Sequence, residues 1–249
     1  MNKESVQVRR MFASIAHRYD LLNRLLSLSF DQYWRRVTVR KLSPFLPRDG
    51  VVLDLCTGTA DLALQLSKEV SVLGCDFCHP MLLLGREKVK DKALDSKIRF
   101  VEGDALNLPF PPLSFHAVTV AFGLRNLEDY NRGLQEIHRV LRPGGGLAVL
   151  EFSQPQIPVF RQLYLFYFTR LLPRIGHLVS GKSGPYSYLP ESVQEFPVPT
   201  KVDQMIREIG FVGVRHYSLT LGVVTLHLSY KEDPKASKKG LPNGSLLGA

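Results

Sequence analysis

Apolar positions change their spacing along this chain, and each change marks a different kind of element. Between residues 5 and 46, Val8, Met11, Phe12 and Ile15, then Leu21, Leu22, Leu25 and Leu26, recur at helical intervals. Asn, Ser and Asp break the series, which predicts two or three helices. From residue 51 the pattern shifts to short aliphatic and β-branched runs, each followed by a helix-like stretch. The runs are Val51–Leu55, Val70–Cys75, Ile98–Glu102, Ala117–Phe122 and Leu147–Phe152. Such alternation predicts βα units around a mostly parallel sheet.

Residues 154–199 interrupt the alternation with seven prolines and many aromatics, which reads as an inserted cap. A helix over Val202–Ile209, closed by Gly210, restores regular structure. Two adjacent runs, Phe211–Ser218 and Gly222–Tyr230, then predict an antiparallel pair at the sheet's edge. The expected organisation is an N-terminal helical cap (1–48), an α/β core (49–153), the inserted cap (154–199), and a last helix with edge strands (200–230). The Lys-, Gly-, Ser- and Pro-rich residues 231–249 should form a disordered tail. The fold class is a doubly wound, Rossmann-like α/β sheet with an antiparallel edge strand and helical caps.

Charge adds a direction to this picture. Of the net charge of +9, residues 1–48 supply ten Lys/Arg against three Asp/Glu, while residues 49–230 are nearly neutral. A basic segment of this kind suits an anionic surface, a membrane leaflet or a nucleic acid. The most apolar stretch, Leu163–Thr169, lies between Arg161 and Arg170 and falls far short of the ~20 residues that span a bilayer. The polar N-terminus has no apolar h-region, and Cys56, Cys75 and Cys78 are an odd set, so the reading is cytoplasmic, with peripheral membrane contact. Assembly as a homo-oligomer stays open.

The candidate chemistry begins in Val51-Val-Leu-Asp-Leu-Cys-Thr-Gly-Thr-Ala-Asp61, a strand running into a turn of small residues and a helix start. Small residues let the backbone approach a ligand. A dinucleotide site would carry G-x-G-x-x-G, whereas this turn has one glycine, Gly58, and an acid, Asp54, within the strand. Asp76 ends the second run and Asp104 follows the third in Gly103-Asp-Ala105. Three acids at the carboxyl ends of consecutive strands describe a crevice for a ribose-bearing, positively charged molecule, which S-adenosylmethionine fits.

On these residues the chain resembles the quinone C-methyltransferases of the UbiE/MenG family, over nearly its whole length to about residue 231. The resemblance is carried by Phe12-Ala-Ser-Ile-Ala-His-Arg-Tyr-Asp20 with Asn23, by the glycine turn, and by Gly103-Asp-Ala-Leu-Asn-Leu-Pro-Phe110. Phe122-Gly-Leu-Arg-Asn126, Arg139-Val-Leu-Arg-Pro-Gly-Gly145 and Leu150-Glu-Phe-Ser-Gln-Pro155 complete it. It implies C-methylation of a polyprenylated quinol, demethylmenaquinol first and the benzoquinol precursor of ubiquinone second, with S-adenosylmethionine as cofactor. It further implies cofactor contacts from Thr59, Asp76, Asp104 and Ala105. Two departures stand out. Ala60 occupies the place of a second glycine, and Ala121 that of a serine which touches the cofactor in some members.

For the chemistry, Arg125 is the first candidate, as a fixed cation at the crevice rim that holds a developing oxyanion or orients a water. The structural alternative is an ion pair with Glu128 or Asp129. Tyr19 is the second candidate, from a segment that could close over substrate; helix-end packing and capping is the alternative for Tyr19 and Asp20. His79, His116 and His138 read as structural. Cys75-x-x-Cys78 has no second ligand pair, so no metal is expected. Aromatics in 159–172 are candidate lining for a lipid tail. The rival readings are a silent quinone-precursor-binding subunit and a nucleic-acid methyltransferase; the latter lacks an Asn-Pro-Pro-Tyr-like motif, and no nucleic-acid partner is expected.

Overall fold

The structure, a computed structural model, describes residues 5–171 and 184–237. Its seven-stranded sheet has the order β3-β2-β1-β4-β5-β7-β6. The strands are β1 (Val51–Leu55), β2 (Ser71–Asp76), β3 (Ile98–Glu102), β4 (Phe115–Ala121), β5 (Leu141–Phe152), β6 (Phe211–Leu219) and β7 (Val224–Lys231). β1 pairs in parallel with both β2 and β4, so the chain reverses its direction of travel across the sheet at β1. Open α/β sheets bind ligands beyond the carboxyl ends of the strands at such a reversal. β7 runs antiparallel between β5 and β6, which is the pair expected from the two final runs.

Helices cover both faces. α5 (Tyr130–Val140) and α8 (Pro199–Glu208) bury Leu134, Ile137, Val202 and Ile206 against one face. α2 (Phe30–Leu42), α3 (Asp61–Leu66) and α4 (His79–Asp91) bury Trp34, Val37, Leu62, Leu66 and Val89 against the other. α5 starts where the Asp129 side chain accepts from the Arg132 amide at 2.9 Å. α8 ends before Gly210, whose φ of +106° few other residues adopt.

The N-terminal apolar series forms two helices. α1 (Ser5–Leu26) is followed by Leu28 and Ser29 in left-handed conformations, and α2 starts at Phe30. The inserted region supplies α6 (Pro158–Phe166), continuing into a π-helical turn at Tyr167–Leu171, and α7 (Gly184–Glu195). Leu22, Tyr164, Phe168 and Val193 form a separate apolar cluster that joins α1 to this cap.

β5 differs from its sequence expectation by starting at Leu141 rather than Leu147. The Arg142-Pro-Gly-Gly-Gly146 stretch forms a bulge, so the register with β4 jumps from Phe115–Leu141 to Ala117–Gly146. The expected tail begins within β7 and continues as a short helix, Pro234–Ser237; residues 238–249 lie outside the described part.

Candidate active site

Three of the five residues between Cys56 and Ala60 hold positive φ, at 56° for Cys56, 54° for Gly58 and 70° for Ala60. Non-glycine residues enter this region at a cost of order 1 kcal/mol each, so something must hold the loop in place. Asp54 does so. Its carboxylate accepts from the Thr57 hydroxyl at 2.6 Å and the Thr119 hydroxyl at 2.7 Å, and burial pushes it up to about 6. The expectation that Asp54 faces the ligand is thereby corrected. It does not line the crevice, because both oxygens are turned to hydroxyls beneath the loop.

Asp76, Asp104, Gly58 and Ala105 do converge, on a cavity that Phe77 and Met81 also line. Asp76 accepts from the amides of Gly58 and Cys78, each at 2.8 Å. Burial outweighs these donors and raises its carboxyl to about 6. Two amides occupy one lone pair on each oxygen, so acceptor capacity remains for ribose hydroxyls. Asp104 accepts from the Leu106 amide at 2.9 Å. The loop carrying Asp104 is held from below by Arg139, which donates to the carbonyls of Leu108 and Phe110 and to Glu136. Two distant sequence motifs therefore build one wall. Carboxylates beside apolar side chains fit the ribose, amine and adenine of S-adenosylmethionine. Ala121 lines the same cavity and offers no hydroxyl.

Thr59 is placed differently from its expectation. It is buried, does not line this cavity, and donates to Asp20 of α1 at 2.6 Å. Asp20 also pairs with Lys88 of α4. The hydroxyl thus ties the N-terminal helix to the glycine turn.

A second cavity of about 570 Å³ opens beside the first, a size that suits a small-molecule ligand. Its walls come from α1, α2, α6 and α7 and are mainly apolar, including Ile15, Leu22, Trp34, Leu163 and Phe168. Phe12, Tyr19 and Phe122 line both cavities, so the two meet at these side chains. Phe122 itself sits at φ 60°, followed by Gly123. A Cβ on Gly123 would lie 2.4 Å from that of Cys56, so glycine is required where the loops after β1 and β4 touch. Tyr19 is held by burial above the ordinary tyrosine range, opposed by a hydrogen bond with Asn23 and by the charges of Arg125 and Arg35.

Arg125 lines the larger cavity but lies deeper than the rim expected for it, at 4% exposure. Its Nη1 donates to Glu151 at 2.8 Å and to the Phe122 carbonyl at 2.6 Å, and its Nε to Ser192 Oγ at 3.4 Å. Its salt-bridge partner is neither Glu128 nor Asp129. Glu151 near the end of β5 is closer in space, because β5 is the neighbour of the strand that delivers Arg125. The sequence reading missed Glu151, although an acid inside a strand that is otherwise buried was a signal. It also missed Arg35, which carries no motif of its own, and it read Tyr164 only as one of the aromatics in 159–172 that could line a lipid tail.

Of the remaining candidates, His79, His116, His138 and Cys75 line neither cavity, whereas Cys78 lines the smaller one. His116 accepts from the Val51 amide, His79 pairs with Glu102, and the His138 ring packs on Phe211. Cys75 and Cys78 are buried free thiols, Cys78 on the rim of the smaller cavity. Asp203 bonds the Nδ1 atoms of His216 and His227 at 2.6 and 2.7 Å, fastening α8 to β6 and β7.

Known proteins resemble this chain closely. The family model described as the ubiE/COQ5 methyltransferase family matches residues 1–231. A demethylmenaquinone methyltransferase of Deinococcus radiodurans is 50% identical over 227 residues, 90% of this chain and 92% of that protein. A ubiquinone/menaquinone biosynthesis C-methyltransferase UbiE of Geobacter sp. strain M21 is 46% identical over 235 residues, 93% of this chain and 99% of its own. Among solved structures, an S-adenosylmethionine-dependent methyltransferase candidate from Methanococcus maripaludis superposes with a TM-score of 0.62 at 18% identity. It covers 88% of this chain and 92% of that one, a likeness of fold.

Proposed function

The chain belongs to the ubiE/COQ5 methyltransferase family, and from that premise we propose that it methylates a ring carbon of a polyprenylated quinol, demethylmenaquinol in menaquinone biosynthesis. S-adenosylmethionine is the cofactor and supplies an electrophilic methyl on its sulfonium. The reading rests above all on one observation: a carboxylate-lined cavity and a large apolar one meet at Phe12, Tyr19 and Phe122.

The work of the chain's own residues is positioning and charge. Orientation of two bound reactants can contribute ~7–11 kcal/mol. Asp76 and Asp104 hold the cofactor's polar groups, and the aromatic junction sets the ring beside it. Arg125, kept in place by Glu151, stabilises the quinol oxygen as it gains negative charge, which makes the neighbouring carbon nucleophilic. Bound S-adenosylmethionine would supply the methyl to that carbon, its sulfur keeping the electron pair of the broken bond, and the ring proton would pass to a base or water. Tyr19 orients the ring at the junction.

The prenyl tail defines the approach. Burying a five-carbon unit is worth around 4 kcal/mol, so the substrate stays in the bilayer. Among the described residues no helix is long and apolar enough to cross a membrane. Leu28, Phe30, Leu163 and Phe166 line the larger cavity and are also exposed to solvent. With Arg24, Arg36 and Arg161 nearby in sequence, they support docking of this mouth on an anionic leaflet.

The test is turnover. Reduced demethylmenaquinol and the demethylated benzoquinol precursor are each incubated with the protein and S-adenosylmethionine, and products are weighed by mass spectrometry. A methylated naphthoquinol is expected. The benzoquinol is included because the Geobacter relative's name covers both pathways. Absence of the methylated naphthoquinol with folded, cofactor-binding protein would refute the reading.

A further inference from the structure

The larger cavity is mainly apolar, yet two of the residues in its wall, Tyr164 and Arg35, each carry a buried polar atom without a hydrogen-bond partner among the described residues. Tyr164 is 7% exposed and its hydroxyl has no hydrogen-bond partner among the described residues. Arg35 is 6% exposed, and its Nε is likewise unpartnered. Both residues line the cavity. Leaving such a group buried and unpaired costs about 1–3 kcal/mol, so two such residues in one cavity wall point to a polar ligand that partners them as it binds.

Their placement specifies the ligand further. Arg35 pairs with the buried Asp31 at 2.6 Å, and its guanidinium lies 5.5 Å from the centre of the Phe122 ring. Arg125 pairs with Glu151, and its guanidinium lies 5.6 Å from the centre of the Phe152 ring. The Phe122 and Phe152 rings are 4.7 Å apart. Two buried ion pairs therefore flank one aromatic pair, each guanidinium on a different ring. The positive charge of Arg125 acts on the Tyr164 phenol, and both arginines act on Tyr19. A hydroquinone is flat, apolar at its edges and carries oxygens at opposite ends. Each oxygen can meet its own cation while the ring lies among aromatics.

We infer that Arg35 and Tyr164 complete the head-group site, with Arg125 and Tyr164 binding one ring oxygen and Arg35 binding the oxygen para to it. The inference rests on the quinol reading and assigns contacts within it. Arg35 has a defined consequence for specificity. A ring with both oxygens is favoured over the same ring with one, because losing a ligand oxygen leaves the buried Nε unpaired again.

Tyr164→Phe gives the first test, because the two explanations of the hydroxyl agree on Tm and differ on the quinol KM. If the hydroxyl is only a buried, unsatisfied group, its removal leaves Tm unchanged or higher and the quinol KM unaltered. The inference predicts an unchanged or higher Tm together with a quinol KM raised about tenfold, the cofactor Kd staying constant. The second test uses Arg35→Gln combined with Asp31→Asn, which removes the ion pair without leaving a buried charge. Binding of a short-chain 2-prenyl-1,4-naphthohydroquinone and of 2-prenyl-1-naphthol is compared in the presence of S-adenosylhomocysteine. Wild-type protein should prefer the hydroquinone about tenfold, and the double variant should show nearly equal binding. An unchanged KM for Tyr164→Phe, or a preference retained by the double variant, would overturn the assignment. Wild-type protein that binds neither ring would instead sink the quinol reading beneath it.

Discussion

Arg125 is asked to stabilise an oxyanion and is also built into the protein interior, so its two roles must be separated by the choice of substitution. Arg125→Ala leaves Glu151 buried without its partner, and breaking such a pair costs about 3–5 kcal/mol. Arg125→Lys keeps the charge but loses the planar fork that reaches Glu151 and the Phe122 carbonyl together. In the lysine variant kcat should fall ~10²–10³-fold per folded molecule, with cofactor affinity within twofold of wild type. Steady-state kinetics and calorimetry on one preparation measure both; a folded lysine variant with wild-type kcat would remove Arg125 from the chemistry. Asp76 carries a pH prediction. Burial raises its carboxyl to about 6, and the proposed contact with ribose hydroxyls needs the ionised acceptor. Affinity for S-adenosylmethionine should therefore be level above pH 6 and decline as pH falls below it. Asp76→Asn should weaken binding by ~1.5–3 kcal/mol and flatten that decline, any remaining slope belonging to Asp54, which also sits near 6. A wild-type pH profile in the asparagine variant would exclude Asp76 as the titrating group.

At the scale of elements, the change from helical spacing to short aliphatic runs was enough to read the sheet, because buried parallel strands need continuous apolar runs. The sequence also placed Asp76 and Asp104 at strand ends, where parallel pairing brings them to one edge. It could not show which way Asp54 turns, since its partner Thr119 is 65 residues away and faces it only once β1 and β4 pair. Glu151 escaped for the same reason, being 26 residues from the arginine it holds. Arg35 was invisible, and Tyr164 legible only as one of several aromatics, because each belongs to a helix whose cavity-facing side exists only after α1, α2 and α6 assemble. Thr59 shows a further limit, as its motif position suggested a ligand contact whereas its hydroxyl reaches α1. That contact makes a prediction about the element. Thr59→Val and Asp20→Asn should each weaken cofactor binding about tenfold by loosening α1 from the glycine turn, and the double variant should be scarcely worse than either single one. Fully additive losses, measured by calorimetry, would mean that the two residues act separately.

At the scale of the whole molecule, a substrate held in the bilayer by its prenyl tail requires a protein that carries its cofactor there and receives the ring. Leu163 and Phe166 are 65% and 56% exposed beside the cavity they line, so Leu163→Asp with Phe166→Asp should disturb docking with little loss of stability. Binding to anionic vesicles should weaken with added salt in the wild type and be largely lost in this variant. Turnover of long-tailed quinol should fall alongside it, while a short-chain quinol in solution should be methylated at the normal rate. Equal sedimentation of the two proteins with vesicles would count against the docking face. The proposed reaction makes a carbon–carbon bond where the two cavities meet. Carbon-13 NMR of the product formed from demethylmenaquinol and S-adenosylmethionine labelled at its methyl carbon tests it directly. The label is expected as a methyl on the ring carbon, with both quinol oxygens unmodified. A label bound to oxygen, or none on the quinol with active cofactor-loaded protein, would contradict it.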